Sequence, residues 1–292
     1  MLVQSNIKGA SLMVGCMAAY AANDAFMKVA FEEVPFFQAI FLRGAVTIVL
    51  LIVITGWRGE FHFRTSNKNK IFLTLRLCGE VGATICFLGA LAHMPLANAT
   101  AIIQSVPFGI TVGAMLFFNE SVGWRRWTAI FIGFLGVLMI VQPGTDGFDI
   151  WSLSALFAVV LIVLRDLVTL HLAAEMPATF ISLITAIMLT SVAGIITFTV
   201  GWEPVSFLNY LLLFTAASIL IFGYVFSVMA IQVGELNFTS LFRYSILIFS
   251  IFLGMVVFDE YPDRITLLGC SIIIIAGAYT IHRERHTHHN EV

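Results

Sequence analysis

Residues 96–120 read LANATAIIQSVPFGITVGAMLFFNE, and residues 236–260 read LNFTSLFRYSILIFSIFLGMVVFDE. Laid over each other at a shift of 140, the two stretches bring Ser105 onto Ser245 and Glu120 onto Glu260. Each runs through an apolar segment and ends on a glutamate before a turn, so each reads as a helix crossing an apolar medium. The likeness extends outward. After each glutamate comes a turn and a further apolar segment with small residues, Ala129 and Gly136 in one, Gly269, Ala276 and Gly277 in the other, with an offset of one residue. Asn23-Asp24 similarly falls near Arg165-Asp166, while the second copy has Leu247 where the first has Pro107.

The composition fits that reading. The chain has 292 residues, 60% hydrophobic and 11% charged, with a mean hydropathy of +0.98; a soluble domain carries roughly 25% charge. A helix needs about 20 apolar residues to cross a bilayer core. Ten segments approach that length: 7–30, 35–55, 71–93, 96–118, 124–141, 151–172, 177–200, 207–231, 236–258 and 264–282. Breaker residues separate them, as in QPGTDG at 142–147 and GWEP at 201–204. Period-two alternation is absent, which excludes a β-barrel, and unpaired backbone cannot face lipid. The expected fold is all-α integral membrane: ten transmembrane helices as two inverted five-helix repeats, 1–144 and 145–292. Lys8, an apolar run and Ala19-Tyr20-Ala21 imitate a cleavable signal peptide. The run continues past that point to Phe26, and cleavage would leave nine spans, so retention is expected.

An odd number of spans per half obliges the second half to insert upside down, the plan of secondary transporters whose solute site lies near the midplane between the halves. With a cytoplasmic N-terminus, Lys8, Arg58, Arg64, Lys68, Lys70, Arg125, Arg126, Arg283 and Arg285 fall inside and only Arg264 outside. This asymmetry supports ten spans with both termini cytoplasmic.

Two stretches carry a family resemblance: MPLANATAI with a Ser-x-Pro element, FFNESVGWRRW and GFLGVLMIVQPG between Met94 and Gly144; then FRYSILIF, VVFDEYPD and the closing span up to His282-Arg283-Glu284-Arg285. The chain resembles the drug/metabolite transporter superfamily, specifically its EamA-type ten-helix carriers. Within it, the pattern is similar to bacterial S-adenosylmethionine and riboflavin carriers and to some solute carrier 35 members. The resemblance implies alternating access through a central cavity lined by the first four spans of each half, with the fifth and tenth at the periphery. It also implies a bacterial inner membrane location.

Charges within the spans are the leading functional candidates, because each costs at least about 2.5–3.5 kcal/mol at the bilayer centre unless it faces a cavity or a partner. They are Asp24, Lys28, Arg43, Arg76, Glu80, Arg165, Asp166 and Arg243. Asp24–Lys28 and Arg76–Glu80 are spaced i, i+4 and read either as structural ion pairs or as pairs that a charged solute opens. Arg76 lies near the inner boundary, where it can snorkel, and ranks below Arg43 and Arg243, which have no acid within one turn of their own helices. An excess of cations over carboxylates points to a solute with an acidic group, simple anion or zwitterion, held bidentately. The alternative is that both arginines pair with Asp24, Glu80 or Asp166, the carboxylates that would also carry protons in a coupled carrier. Arg165 and Asp166, being adjacent, point about 100° apart and are not expected to face one cavity centre together.

Tyr20, Gln104 and Tyr244 complete the expected substrate-binding set, with Phe87, Trp151, Tyr224 and Ser105 as further aromatic and hydroxyl candidates. Glu120 and Glu260 read as caps or pairing partners at helix ends. Trp57, Trp124, Trp151 and Trp202 fit an interfacial aromatic belt. Pro107, with Gly109 and Gly113, marks a kink or hinge. Cys16, Cys78, Cys86 and Cys270 read as small core residues without metal or disulfide spacing. The tail histidines 286, 288 and 289 read as solvated, and no metal or cofactor is expected. No HExxH, GxSxG or paired-aspartate motif supports an enzyme, no filter-like motif a channel, and no basic-aromatic face a nucleic-acid partner. Expected partners are a small-molecule substrate and membrane lipid, with the Gly-containing fifth and tenth spans offering a surface for a homodimer. An exporter of amino acids or related metabolites is the alternative within the class; a lipid scramblase or structural membrane subunit is the alternative outside it.

Overall fold

The computed structural model describes residues 2–61, 67–118, 124–142, 149–172, 177–233 and 240–288. Glu120, the connector at 143–148, the boundary at residue 144 and His289 lie outside the described residues, and the side chains of His171, His286 and His288 are likewise not described. Among the described residues eleven α-helices run in chain order: α1 (Leu2–Glu33), α2 (Phe36–Arg58), α3 (Asn67–His93), α4 (Leu96–Ile103), α5 (Val106–Phe118), α6 (Trp124–Val141), α7 (Ile150–Leu172), α8 (Ala178–Val200), α9 (Phe207–Val233), α10 (Ser245–Phe258) and α11 (Arg264–His288). A 3₁₀ turn, Ser240–Tyr244, leads into α10. No strand occurs among the described residues.

Among the described residues six helical stretches are long and apolar enough to cross a membrane, and Trp127–Val141, Phe242–Phe258 and Arg264–Tyr279 are shorter apolar helices. Helix α1, with 32 residues, is about 48 Å long but more polar, since Asp24 and Lys28 interrupt it. Proline sets the start of three helices: Pro35, Pro95 and Pro177 stand at the N-caps of α2, α4 and α8, where a missing N–H costs nothing. α4 and α5 together form the fourth apolar segment, broken at Gln104-Ser105.

Pro107 removes the donor that would close onto Ile103, and the chain answers with tighter bonds, Ser105 N–H to the Ile102 carbonyl at 3.1 Å and Phe108 N–H to the Ser105 carbonyl at 3.0 Å. At the same register, and without a proline, the ninth segment passes from the 3₁₀ turn into α10. In both, a serine hydroxyl bonds the carbonyl three residues back: Ser105 Oγ to Ile102 at 2.6 Å, Ser245 Oγ to Phe242 at 2.7 Å. Gln104 Nε2 then reaches the Arg243 carbonyl at 3.4 Å, joining the two breaks.

Helix packing follows a reciprocal scheme: α1 lies along α9 as α3 lies along α7, while α2 pairs with α8 and α6 with α11. The closest approaches use glycine, since only a missing Cβ admits a neighbouring helix there. A Cβ on Gly44 of α2 would collide with Thr190 of α8, and one on Gly136 of α6 would stand 2.9 Å from the Gly269 carbonyl of α11. These glycines of the fifth and tenth spans pack the two helices against each other within the chain.

At the end of the bundle where α1 finishes and α2 begins, polar contacts join residues below 145 to residues above it. Gln38 exchanges two bonds with the Glu203 backbone, at 2.8 and 3.1 Å. Asn209 donates to Glu33 at 2.8 Å and Gln142 to Asp263 at 3.0 Å. Lys28 Nζ meets Glu260 at 2.5 Å and donates to the Met94 carbonyl at 2.6 Å, while Glu260 also accepts from the Leu96 N–H at 2.8 Å. At the opposite end, Thr179 donates to Glu60.

Candidate functional site

The helices enclose a cavity of about 530 Å³ whose wall is built by α1, α2, α3, α7, α8 and α9, with Ile103 of α4 at its edge. α6 and α11 contribute nothing to the wall. The family resemblance implied lining from four spans of each half; among the described residues none of the ninth span lines it. The cavity reaches from the middle of the bundle toward the end where α2 finishes, away from the cross-chain contacts described above.

Six of the ten expected site residues line this cavity: Tyr20, Asp24, Arg43, Glu80, Arg165 and Asp166. Four do not. Lys28 is bound to Glu260 and Met94 rather than to Asp24, because a flexible amine reaches the acid and carbonyl converging from other helices more easily than an acid on its own face. Gln104 and Arg243 are taken up at the junction of the two helix breaks, and the Arg243 side chain is exposed. Tyr244 is buried, at 4% exposure, against α11, where only glycine at position 277 leaves room for its ring.

Arg76, ranked below Arg43 and Arg243 from its place near a span end, lines the cavity instead of snorkelling. Its Nη1 donates to Thr185 of α8 at 2.8 Å and its Nη2 stands 3.8 Å from Glu80. Arg165 and Asp166 do share the cavity. Helix geometry separates their Cβ atoms, but the long arginine stem curls back, so Nε bonds Asp166 at 2.8 Å and Nη1 bonds both Glu80 oxygens at 2.9 Å. Charge-assisted forks of this kind are strong.

On the other side of the cavity the arrangement is looser. Arg43, 7% exposed, donates from Nη1 to Asn23 Oδ1 at 3.3 Å, and Asn23 Nδ2 donates to Asp24 Oδ1 at 3.0 Å. Arg43 Nε is buried without a partner, as are Thr190 Oγ1 and Tyr224 Oη on the same wall. A buried donor left unsatisfied costs about 1–3 kcal/mol, and more when charged. Three such atoms around one cavity form a surface prepared for a polar guest.

The lining charges balance: Arg43, Arg76 and Arg165 against Asp24, Glu80 and Asp166. The cation excess expected from the spans disappears, because Lys28 and Arg243 lie outside the cavity. Sequence reasoning missed Asn23, Thr47, Thr84, Ser182, Thr185 and Thr190, uncharged residues whose type alone does not separate a cavity wall from a helix packing face.

Other expectations resolve locally. Trp57, Trp124 and Trp202 are exposed near helix ends, while Trp151 stacks on His93 with ring centroids 3.7 Å apart. Cys16 and Cys270 are buried, but Cys78 is exposed rather than a core residue. No cluster of three or more metal-ligating side chains occurs among the described residues.

Residues 7–142 match the EamA-like transporter family. A crystal structure of another protein shares the fold with a TM-score of 0.66 at 15% identity, covering 96% of this chain and 98% of that one. The S-adenosylmethionine uptake transporter of Rickettsia felis is 25% identical over 91% of this chain and 89% of its own. The pseudopaline exporter of Pseudomonas aeruginosa is 25% identical over 92% of this chain and 94% of its own. The riboflavin transporter of Vibrio cholerae is 26% identical over 79% and 78% respectively. The match of residues 7–142 to the EamA-like transporter family and the transporters that are similar along most of the chain agree on a membrane transporter of small metabolites rather than an enzyme.

Proposed function

We propose that this protein is a secondary transporter that carries a small zwitterionic metabolite through the central cavity by alternating access. The observation that carries the reading is Arg43: a guanidinium in the cavity wall, buried, with one long hydrogen bond and an unpartnered Nε. Such a group can hold a carboxylate bidentately. The balance of three arginines and three carboxylates favours a guest that brings both signs over a simple anion, whose charge would stand uncompensated. Asp24 is the complementary partner for an ammonium or similar cation. Arg165, Glu80, Asp166 and Arg76 form the opposite wall, and Tyr20 supplies a ring.

The reciprocal helix pairing and the matched breaks at Ser105 and Ser245 support two inverted five-helix repeats, 1–144 and 145–292, as the moving parts. With both termini cytoplasmic in a bacterial inner membrane, the end joined by Lys28–Glu260 faces outward, and the cavity belongs to a state closed on that side. S-adenosylmethionine carries an amino group and a carboxylate on one carbon, with a sulfonium that would add one positive charge near Asp24, and is a first substrate to try. Relatives named for uptake and for export leave both directions in play.

Uptake of radiolabelled S-adenosylmethionine and of amino acids into proteoliposomes, with wild type and Arg43→Ala, tests this. Saturable transport lost by about 100-fold or more in the variant, which corresponds to about 2.7 kcal/mol, is expected. Normal transport by Arg43→Ala would remove the carboxylate-binding role.

A further inference from the structure

We infer that Asn23 is a positioning residue that holds Arg43 and Asp24 apart, so that each charge keeps capacity for the substrate. The inference rests on the reading of the cavity as the solute site. Asn23 is 3% exposed, and its carboxamide is the bridge: Oδ1 accepts from Arg43 Nη1 at 3.3 Å and Nδ2 donates to Asp24 Oδ1 at 3.0 Å. Among the described residues Arg43 and Asp24 form no ion pair, although both are more than nine-tenths buried and line one cavity.

In a medium of low polarity, an arginine and an aspartate this near would gain most by closing into a fork that consumes two donors and both carboxylate oxygens. A pair closed in that way has little left to offer a guest. A carboxamide prevents closure because it presents an acceptor at one end and donors at the other, so it satisfies each charge once while neutralising neither. Arg43 is left with the unpartnered Nε edge.

The chain contains its own comparison. At the related place on α7, the residue before the aspartate is Arg165, and there the charges have closed, Nε onto Asp166 at 2.8 Å and Nη1 onto Glu80 at 2.9 Å. One wall of the cavity is thus a locked cluster, and the other is held open by an uncharged spacer. The substrate carboxylate is expected on the free edge of Arg43 and its cationic group beside Asp24, each displacing or extending the Asn23 bridge. A residue that merely filled space at position 23 would impose no such separation.

The test reads the separation without needing the substrate. Thermal melts of the purified full-length protein are measured for Asp24→Asn made in the wild type and again in an Asn23→Ala background, with Asn23→Ser as a second background should Asn23→Ala fold poorly. Without the spacer the Arg43–Asp24 pair closes, so Asp24→Asn is expected to lower the melting temperature by about twice as much or more in either background as in the wild type. An equal or smaller shift would overturn the spacer role. Proteoliposome KM supplies the functional arm: Asn23→Ala raises KM for radiolabelled S-adenosylmethionine by about tenfold or more while kcat changes less. Normal transport by Arg43→Ala would refute the site itself, whereas transport lost in Arg43→Ala with equal Asp24→Asn shifts in both backgrounds would refute only the spacer.

Discussion

Replacing Lys28 by methionine keeps most of the stem and removes the ammonium that ties three parts of the bundle together. In the structure Nζ is 2.5 Å from Glu260, 2.6 Å from the Met94 carbonyl and 5.0 Å from the centre of the Phe258 ring, with side-chain exposures of 11% for Lys28 and 22% for Glu260. A surface pair contributes about 0–1 kcal/mol, and losing one partner of a fully buried pair costs about 3–5. The exposures set this pair near the buried end, but Glu260 retains the Leu96 N–H at 2.8 Å, so about 3 kcal/mol is expected. At roughly 2 °C per kcal/mol for a chain of this size, Lys28→Met should melt about 6 °C below wild type. The same energy corresponds to about a 150-fold shift between closed and open forms of that end, readable as faster hydrogen exchange of the amides around residues 94–98. Melts of Lys28→Met, Glu260→Gln and the double variant isolate the coupling. If the two single effects add within about 0.5 kcal/mol, the pair does not hold that end of the bundle closed, whatever the distance between its atoms.

Two further outcomes follow from the geometry. Gly136→Ala places a Cβ 2.9 Å from the Gly269 carbonyl, where backbone and not a flexible side chain must yield, so it should destabilise by about 1–3 kcal/mol in a thermal melt; because α6 and α11 do not line the cavity, KM should stay unchanged, and an altered KM would refute their peripheral place. Asp263 caps α11, accepting from the Thr266 N–H at 2.7 Å and from Gln142 at 3.0 Å, and these hydrogen bonds, led by that from Thr266, hold its carboxyl below the ordinary value. Its contribution is therefore fully present above the unfolded value of about 3.9 and is lost as pH falls through the lower folded value. Asp263→Ala should remove a cap worth about 1 kcal/mol at pH 7, and the difference between the two melting curves should shrink below about pH 4; a constant difference down to about pH 2 would refute the assignment.

The course of the chain was legible because a bilayer imposes a length on every apolar segment, and no segment could be dropped without scrambling the loop charges. The identity of the contacts was far less legible. Spacing along one helix suggested an Asp24–Lys28 pair, yet Lys28 finds Glu260, 232 positions away, and Asp24 is bonded by its own neighbour Asn23. An i, i+4 pattern shows what a helix face could do alone and is silent about what other helices bring to it. Arg76 was misjudged for the same reason: its distance from a span end says that it can reach water, but Thr185 on α8 offers a nearer partner.

The helix breaks show the opposite case, in which the sequence carried more than one reading extracted from it. Pro107 looked like the cause of a kink, and Leu247 at the related position looked like its loss. Both segments nevertheless break there, each with a serine hydroxyl on the carbonyl three residues back. The proline is therefore not what the two places share; they share the serine bond and the junction where Gln104 holds the Arg243 carbonyl. Of the deep charges, Lys28 is committed to Glu260 and Arg165 to Glu80 and Asp166, while the Arg243 side chain is exposed beside the junction. Arg43 remains as the cavity arginine whose Nε is unpartnered, and only because an asparagine keeps the nearest carboxylate from closing on it.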